Sequence, residues 1–244
     1  YFFNVEMLQS DGELQSTWSS VKDSYLENGI YGEDIGNVTA LGLAGTDANL
    51  SIYAGNFDLD NVKSEVEQSS LESYEYEGVV IWIDQYDYGT AVIDNMIFHG
   101  ITEDIRQCIN VSMGNGASLY SDKDVSDVIS RLPDGYLLGV VGVGEDDVAA
   151  EDYGLLAVGM AAFKDDGNIS QISLLKFKDS EALEDYLDLV ESSISEGYDV
   201  AKNGQYLTVS STSPVPSDEE QAYNTVYNVV QNAVVAYYYT HNGS

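Results

Sequence analysis

The order of elements between Phe57 and Gly100 comes back after Ala162, and a recurrence of that kind restricts the chain to folds assembled from two related parts. A helical pattern over Asp58 to Ser69 leads through a strand pair, Tyr74 to Ile83 and Gly89 to His99, into a second helix opening at Thr102. From Phe177 the same order reads as a helix over Glu181 to Ser193, a strand pair over Tyr198 to Ser210 and a helix opening at Ser217. The two stretches share an order and not a sequence. The nearest local echo sets Tyr74-Glu-Tyr-Glu-Gly-Val-Val-Ile-Trp against the run Tyr198 to Val209, each an aromatic-led strand, a turn residue and a β-branched strand. The expected class is α+β, with mixed or antiparallel sheets, helices on one face and an internal duplication of a helix-strand-strand-helix unit.

Flanking patterns fill in the rest. Leu14, Trp18, Val21 and Tyr25 fall at helical spacing between Glu13 and Glu27, and Asn28-Gly29 is a stop signal. Strands are expected over 38–43 and 48–54, with a turn at Gly45-Thr46-Asp47. Val79 to Ile83 is apolar throughout, which predicts a strand covered on both faces with Trp82 in the core. Val125, Val128, Ile129 and Leu132 share one face of a helix that Pro133-Asp134-Gly135 ends. Strands over 137–143, 155–163 and 169–177 then make the centre of the sheet, with an acidic turn at 144–152. Ser213-Pro-Val-Pro216 reads as a linker, and Ser217-Asp-Glu-Glu220 as a capping box for the last helix. The resulting division is an N-terminal helix (1–29), a first half (30–135) and a second half (136–244), which can form one continuous domain.

Charge narrows the function classes. Against 42 Asp and Glu stand 9 Lys and Arg, a formal net charge of −33, and the acids are dispersed among aromatics instead of forming a tail. Self-repulsion of this size calls for salt or divalent cations, as in a saline habitat or a calcium-rich cell exterior. Nucleic acid and anionic membranes are poor partners, because phosphate binding needs clustered Lys and Arg. Cys108 is the single cysteine and falls on the apolar stripe Ile105, Cys108, Ile109, so neither a disulfide framework nor a zinc cluster is expected. There is no apolar run of membrane-spanning length, and Tyr1-Phe2-Phe3 is consistent with the end of a removed signal peptide or anchor. Asn-x-Ser/Thr acceptor sites stand at Asn37, Asn49, Asn110, Asn168 and Asn242, more than this composition gives by chance.

Catalytic patterns are weak. Gly139-Val-Val-Gly142-Val-Gly144 has the wrong spacing for a nucleotide loop and is followed by acids. His99 and His241 are the two histidines and no nucleophile elbow accompanies them, so no catalytic residue is assigned and the chain is read as a non-enzyme. Clusters of hard oxygen ligands make Ca2+ the candidate cofactor, with Glu145, Asp146, Asp147, Glu151 and Asp152 the densest set. Asp58-Leu-Asp60-Asn61, Asp122-Lys-Asp124 and Asp165-Asp166-Gly167-Asn168 read more simply as caps and turns. Trp82, Tyr86 and Tyr88 are the candidate stacking platforms for a small molecule or glycan in a cleft between the two halves.

The runs Gly55-Asn-Phe-Asp-Leu-Asp-Asn-Val, Tyr76-Glu-Gly-Val-Val-Ile-Trp, Ala117-Ser-Leu-Tyr-Ser-Asp-Lys-Asp-Val and Arg131-Leu-Pro-Asp-Gly resemble the DUF3352-like bacterial envelope proteins of unknown function, over residues 50–140. That resemblance implies a secreted or membrane-anchored α+β protein with an internal repeat and no established activity. The leading expectation is thus an extracellular or cell-surface structural protein that self-associates or contacts other envelope proteins. A ligand- or glycan-binding module is the alternative.

Overall fold

The computed structural model describes residues 1–23, 37–44, 50–70, 72–143, 148–190 and 197–226. It divides into two compact units, Tyr1–Ala117 and Ser118–Ser244, each an antiparallel sheet with helices packed on it. Asn28-Gly29, the 45–47 turn, Ile194 and the Tyr237-Tyr238-Tyr239 run lie outside the described residues.

Unit 1 begins with strand β1 (Phe2–Asn4), helix α1 (Val5–Ser10), a 3-10 turn (Gly12–Leu14) and helix α2 (Gln15–Val21). Within the described residues the expected 13–27 helix is therefore this turn plus α2, and β1 and α1 were not foreseen. The unit continues through β2 (Val38–Ala44), β3 (Leu50–Gly55), α3 (Leu59–Ser69), β4 (Glu72–Tyr76), β5 (Val79–Ile83), β6 (Tyr88–Ile93), β7 (Met96–Ile101) and α4 (Thr102–Ser112). Its sheet runs β1-β2-β3-β7-β6-β5-β4. The stretch read as a strand pair is two hairpins, because Glu77 and Gly78 both take positive φ (50° and 82°) and turn the chain in two residues.

Side chains alternate across this sheet, and the two faces have different fates. One carries Leu50, Ile81, Ile83, Ala91, Ile93 and Phe98, which close a core against Ile105 and Ile109 of α4. Each Leu, Ile or Phe side chain among them contributes ~1.5–3 kcal/mol when removed from water. Gly89 makes room for the helix, since a Cβ there would lie 2.9 Å from Ile105 Cδ1. The opposite face carries Val80, Trp82, Thr90 and His99. Val79 to Ile83 is thus not covered on both faces: Val80 is 38% exposed and Trp82 half-buried, so Trp82 is not a core residue. Cys108 sits half-buried at the flank of the α4 core, where burial and, second, Asp104 push its thiol pKa up and keep it a thiol.

Unit 2 contains a 3-10 turn (Leu119–Ser121), α5 (Lys123–Arg131), β8 (Leu137–Gly142), α6 (Val148–Tyr153), β9 (Leu155–Asp165), β10 (Asn168–Phe177), α7 (Ser180–Val190), β11 (Asp199–Asn203), β12 (Tyr206–Pro214) and a helix opening at residue 219. Its sheet runs β8-β9-β10-β12-β11. Here the long apolar run is β9, covered on both faces. Ala157 and Leu174 meet Val125 and Val128 of α5 on one side, and Val158, Leu175 and Leu207 meet Leu183 and Tyr186 of α7 on the other. The expectation of helices on one face alone is corrected accordingly. Glycines of the 139–159 stretch serve packing: a Cβ at Gly159 would fall 2.3 Å from Val128 Cγ1, and one at Gly142 3.1 Å from Val125 Cγ2. Ser213 and Pro214 are the last residues of β12, paired with β10, and not a linker. The closing helix is capped one residue later than expected. Asp218 Oδ1 accepts from the Gln221 amide, while Gln221 Oε1 accepts from the Ser217 amide.

Candidate functional site

The exposed end of the unit 1 sheet holds a cavity of about 410 Å³ lined by Ser69, Ser70, Trp82, Asp84, Gln85, Tyr88, Thr90 and His99. Strand register builds its floor. Trp82 pairs with Thr90, and Thr90 with His99, so three residues separated in sequence form one transverse row across β5, β6 and β7. Thr90 Oγ1 and His99 Nδ1 are 3.0 Å apart and hydrogen-bonded, with the donor set by the imidazole tautomer. The Tyr88 ring lies 6.0 Å from that of His99, tilted by 32°. Burial pulls the His99 pKa down, against the smaller opposing pull of Asp84, so the imidazole is neutral at physiological pH.

One wall is the turn between β5 and β6. Asp84 Oδ1 accepts from the amides of Tyr86 (2.7 Å) and Tyr88 (3.0 Å), an Asx-type turn that holds the carboxylate at the rim. Asp87 closes the turn at φ 65°, and its carbonyl accepts from Thr102 Oγ1 at the start of α4. The other wall is the C-terminal end of α3. That helix starts because Asp58 caps the Asn61 amide, packs through Val62 and Val66, and stops at Ser70, whose amide and hydroxyl both donate to the Val66 carbonyl. Ser69 and Ser70 are thereby brought over the row.

Two of the three candidate aromatics meet here. Trp82 and Tyr88 line the cavity, whereas Tyr86, 72% exposed, does not. Every lining residue belongs to unit 1. His99, set aside in the absence of a triad, is on the floor. The available signal was a tryptophan and two polar residues in three neighbouring strands, which only register could align.

A second polar constellation lies in unit 2. Lys176, at 6% side-chain exposure, donates to Asp127 Oδ2 (2.6 Å) and contacts Asp124 Oδ1 (2.9 Å). Tyr206 Oη donates to the same Asp127 oxygen, and Arg131 Nε meets Asp127 Oδ1 at 3.1 Å with its guanidinium 4.1 Å from the Tyr206 ring centroid. The Lys176 hydrogen bond, followed by that of Tyr206, holds the Asp127 pKa far below the usual carboxylate range. Burial pulls Lys176 down, but the two carboxylates outweigh it and its pKa is raised. This is a mutually satisfied network that pins α5 to β10 and β12.

Of the calcium candidates, Glu145, Asp146 and Asp147 lie outside the described residues, and Glu151 and Asp152 are exposed on α6. Among the described residues no three His, Cys, Asp or Glu side chains are grouped to hold a metal ion. Asp122 caps α5 through the Asp124 and Val125 amides, and Asp166-Gly167 is a two-residue turn. Asn37 is exposed; Asn168 is half-buried; Asn110 is half-buried with its amide donating to Tyr76 Oη at 3.0 Å; Asn49 and Asn242 lie outside the described residues. No helix among the described residues is long and apolar enough to cross a membrane.

No protein-family model matches the chain. It is similar to the uncharacterized protein MJ0635 of Methanocaldococcus jannaschii, 28% identical over 191 residues, which cover 72% of this chain and 65% of that protein. MJ1281 of the same organism is 29% identical over 110 residues, 41% of this chain and 10% of MJ1281. The chain thus spans less than two thirds of the first relative and a tenth of the second. Crystal form III of TP0453 superposes with a TM-score of 0.48 at 11% identity, over 91% of this chain and 90% of that one.

Proposed function

We propose that this protein is a non-enzymatic, extracytoplasmic binding module that takes a small polar molecule of sugar-like size in the unit 1 cavity. The observation that carries the reading is the transverse row Trp82, Thr90, His99 under an open cavity of about 410 Å³, within the size range of ligand sites. An aromatic platform beside hydroxyl, amide and carboxylate groups suits a ligand with both an apolar face and hydrogen-bonding edges. Cell-surface placement is supported by the dispersed acidity and the exposed acceptor at Asn37.

The test uses Trp82 as reporter in a Trp18→Phe protein, titrated with monosaccharides, amino sugars and small aliphatic amines. Saturable change in Trp82 emission, lost on Thr90→Val plus Asp84→Asn, is expected. A flat response to the whole panel would remove the binding reading.

A second reading, self-association at the cell surface, is favoured by β11, the outer strand of the unit 2 sheet, which is exposed along its length and presents Val200. It predicts light-scattering mass that grows with concentration and falls on calcium chelation or in low salt. A constant monomer mass would contradict it. We also infer that the two units are copies of one ancestral unit. In each, a strand leads into a helix and then a meander whose last strand returns beside the first (β3 to β7, β10 to β12) before a further helix.

A further inference from the structure

We infer that the ligand of the unit 1 cavity is a protonated amine, bound through its N–H groups and held over the Trp82 and Tyr88 rings. This deepens the binding-module reading and rests on it.

The inference comes from counting what the cavity has left to offer. Ser69 Oγ donates back to the carbonyls of Glu65 and Val66, both at 3.1 Å, and Ser70 Oγ donates to Val66 O at 2.6 Å. Each hydroxyl has one proton, so both serines present lone pairs to the cavity. Asp84 adds a carboxylate of which only Oδ1 is engaged by the turn amides. These serines are also the end of α3, an 11-residue helix, so the negative end of its dipole lies at the same wall. The faces of Trp82 and Tyr88 are the negative faces of aromatic quadrupoles. No Lys or Arg is among the eight lining residues.

Acceptors, a carboxylate, a helix C-terminus and two aromatic rings among the lining residues all favour positive charge with hydrogens to donate. An anion would meet no Lys or Arg among the described lining residues, and in a protein of net charge −33 it would be repelled before arrival. A neutral polyol could donate its hydroxyls to the same acceptors, but it carries no charge to answer the Asp84 carboxylate, the helix end or the field of the protein. An ammonium carries that charge and is steered by the same field.

Two isosteric pairs separate charge from shape: glucosamine against glucose, and 1,4-diaminobutane against 1,4-butanediol. They are titrated into the Trp18→Phe protein at slightly acidic pH, where the amines are protonated. Each amine is expected to bind at least tenfold tighter than its neutral partner. Asp84→Asn should cut amine affinity at least tenfold, while Glu181→Gln, which removes one exposed charge from α7, should leave it unchanged. Equal affinities within the pairs, or equal losses in the two variants, would overturn the amine assignment; in the first case the binding module stands. A protein in which none of the four probes alters Trp82 emission would instead overturn both readings.

Discussion

Each unit carries polar side chains where its strands meet in register, and the two sets have opposite bond balances. In unit 2, Lys176 on β10 pairs with Tyr206 on β12, and α5 brings Asp124, Asp127 and Arg131 against them until every charge has a partner. In unit 1, Trp82, Thr90 and His99 stand in a comparable row, but α3 ends at its edge and contributes serines whose protons are already engaged. We read the saturated row as architecture and propose the unsaturated one as the interaction site. Buried polar groups therefore report function through the bonding capacity they retain, more than through their mere presence.

Breaking the saturated row should have the largest effect. Lys176→Met leaves Asp124 and Asp127, one turn apart on α5, without their shared cation, and ~3 kcal/mol of stability should be lost in urea unfolding, the low end for a broken buried pair because both carboxylates are partly solvated. The same network sets a pH signature. The folded pKa of Asp127 is depressed, so its contribution is complete above the unfolded value of ~4 and is lost as pH falls through the folded value. Lys176 is raised, so its contribution is complete below ~10.4 and is lost as pH rises through the folded value. The stability gap between the native protein and Asp127→Asn should hold steady at neutral pH and shrink below pH ~4; a gap that widens on acidification would show that Asp127 is not ion-paired.

In the open row the effects should be smaller. Thr90→Val removes the partner of His99 Nδ1 and should cost ~1 kcal/mol in the same assay. Tyr136→Phe provides a control for an unmatched group: the Tyr136 hydroxyl is buried with no hydrogen-bond partner among the described residues, so its removal should be neutral or stabilising by up to ~1 kcal/mol. Asp84→Asn keeps an oxygen for the Tyr86 and Tyr88 amides and should change stability by less than ~0.5 kcal/mol while weakening the binding described above. A loss as large as that of Lys176→Met would make the unit 1 row structural after all.

Much of the framework could be read from local pattern. Asp58 and Asp122 announced their helices because capping is a contact of two or three residues. The one-residue error at Ser217 arose because Asp218 caps the Gln221 amide, while Gln221 and not Glu220 reaches back to the Ser217 amide. The Val79 to Ile83 run misled because Val80 and Trp82 are apolar yet face outward, and composition cannot tell a covered face from a face beside a cavity. The cavity itself was invisible, since its members come from a strand register and a helix end that are set by tertiary pairing. Lys176 left one trace, a charge inside the apolar run Ile172 to Phe177, but its partners are 49 and 52 residues away.

The most direct test is a backbone amide NMR titration with glucosamine, which reads both rows at once. The account predicts saturable shifts at Ser69, Ser70, Asp84, Tyr88, Thr90 and His99, with Asp124, Asp127 and Lys176 unmoved. Shifts scattered over the acidic surface, or centred on the Lys176 network, would contradict it.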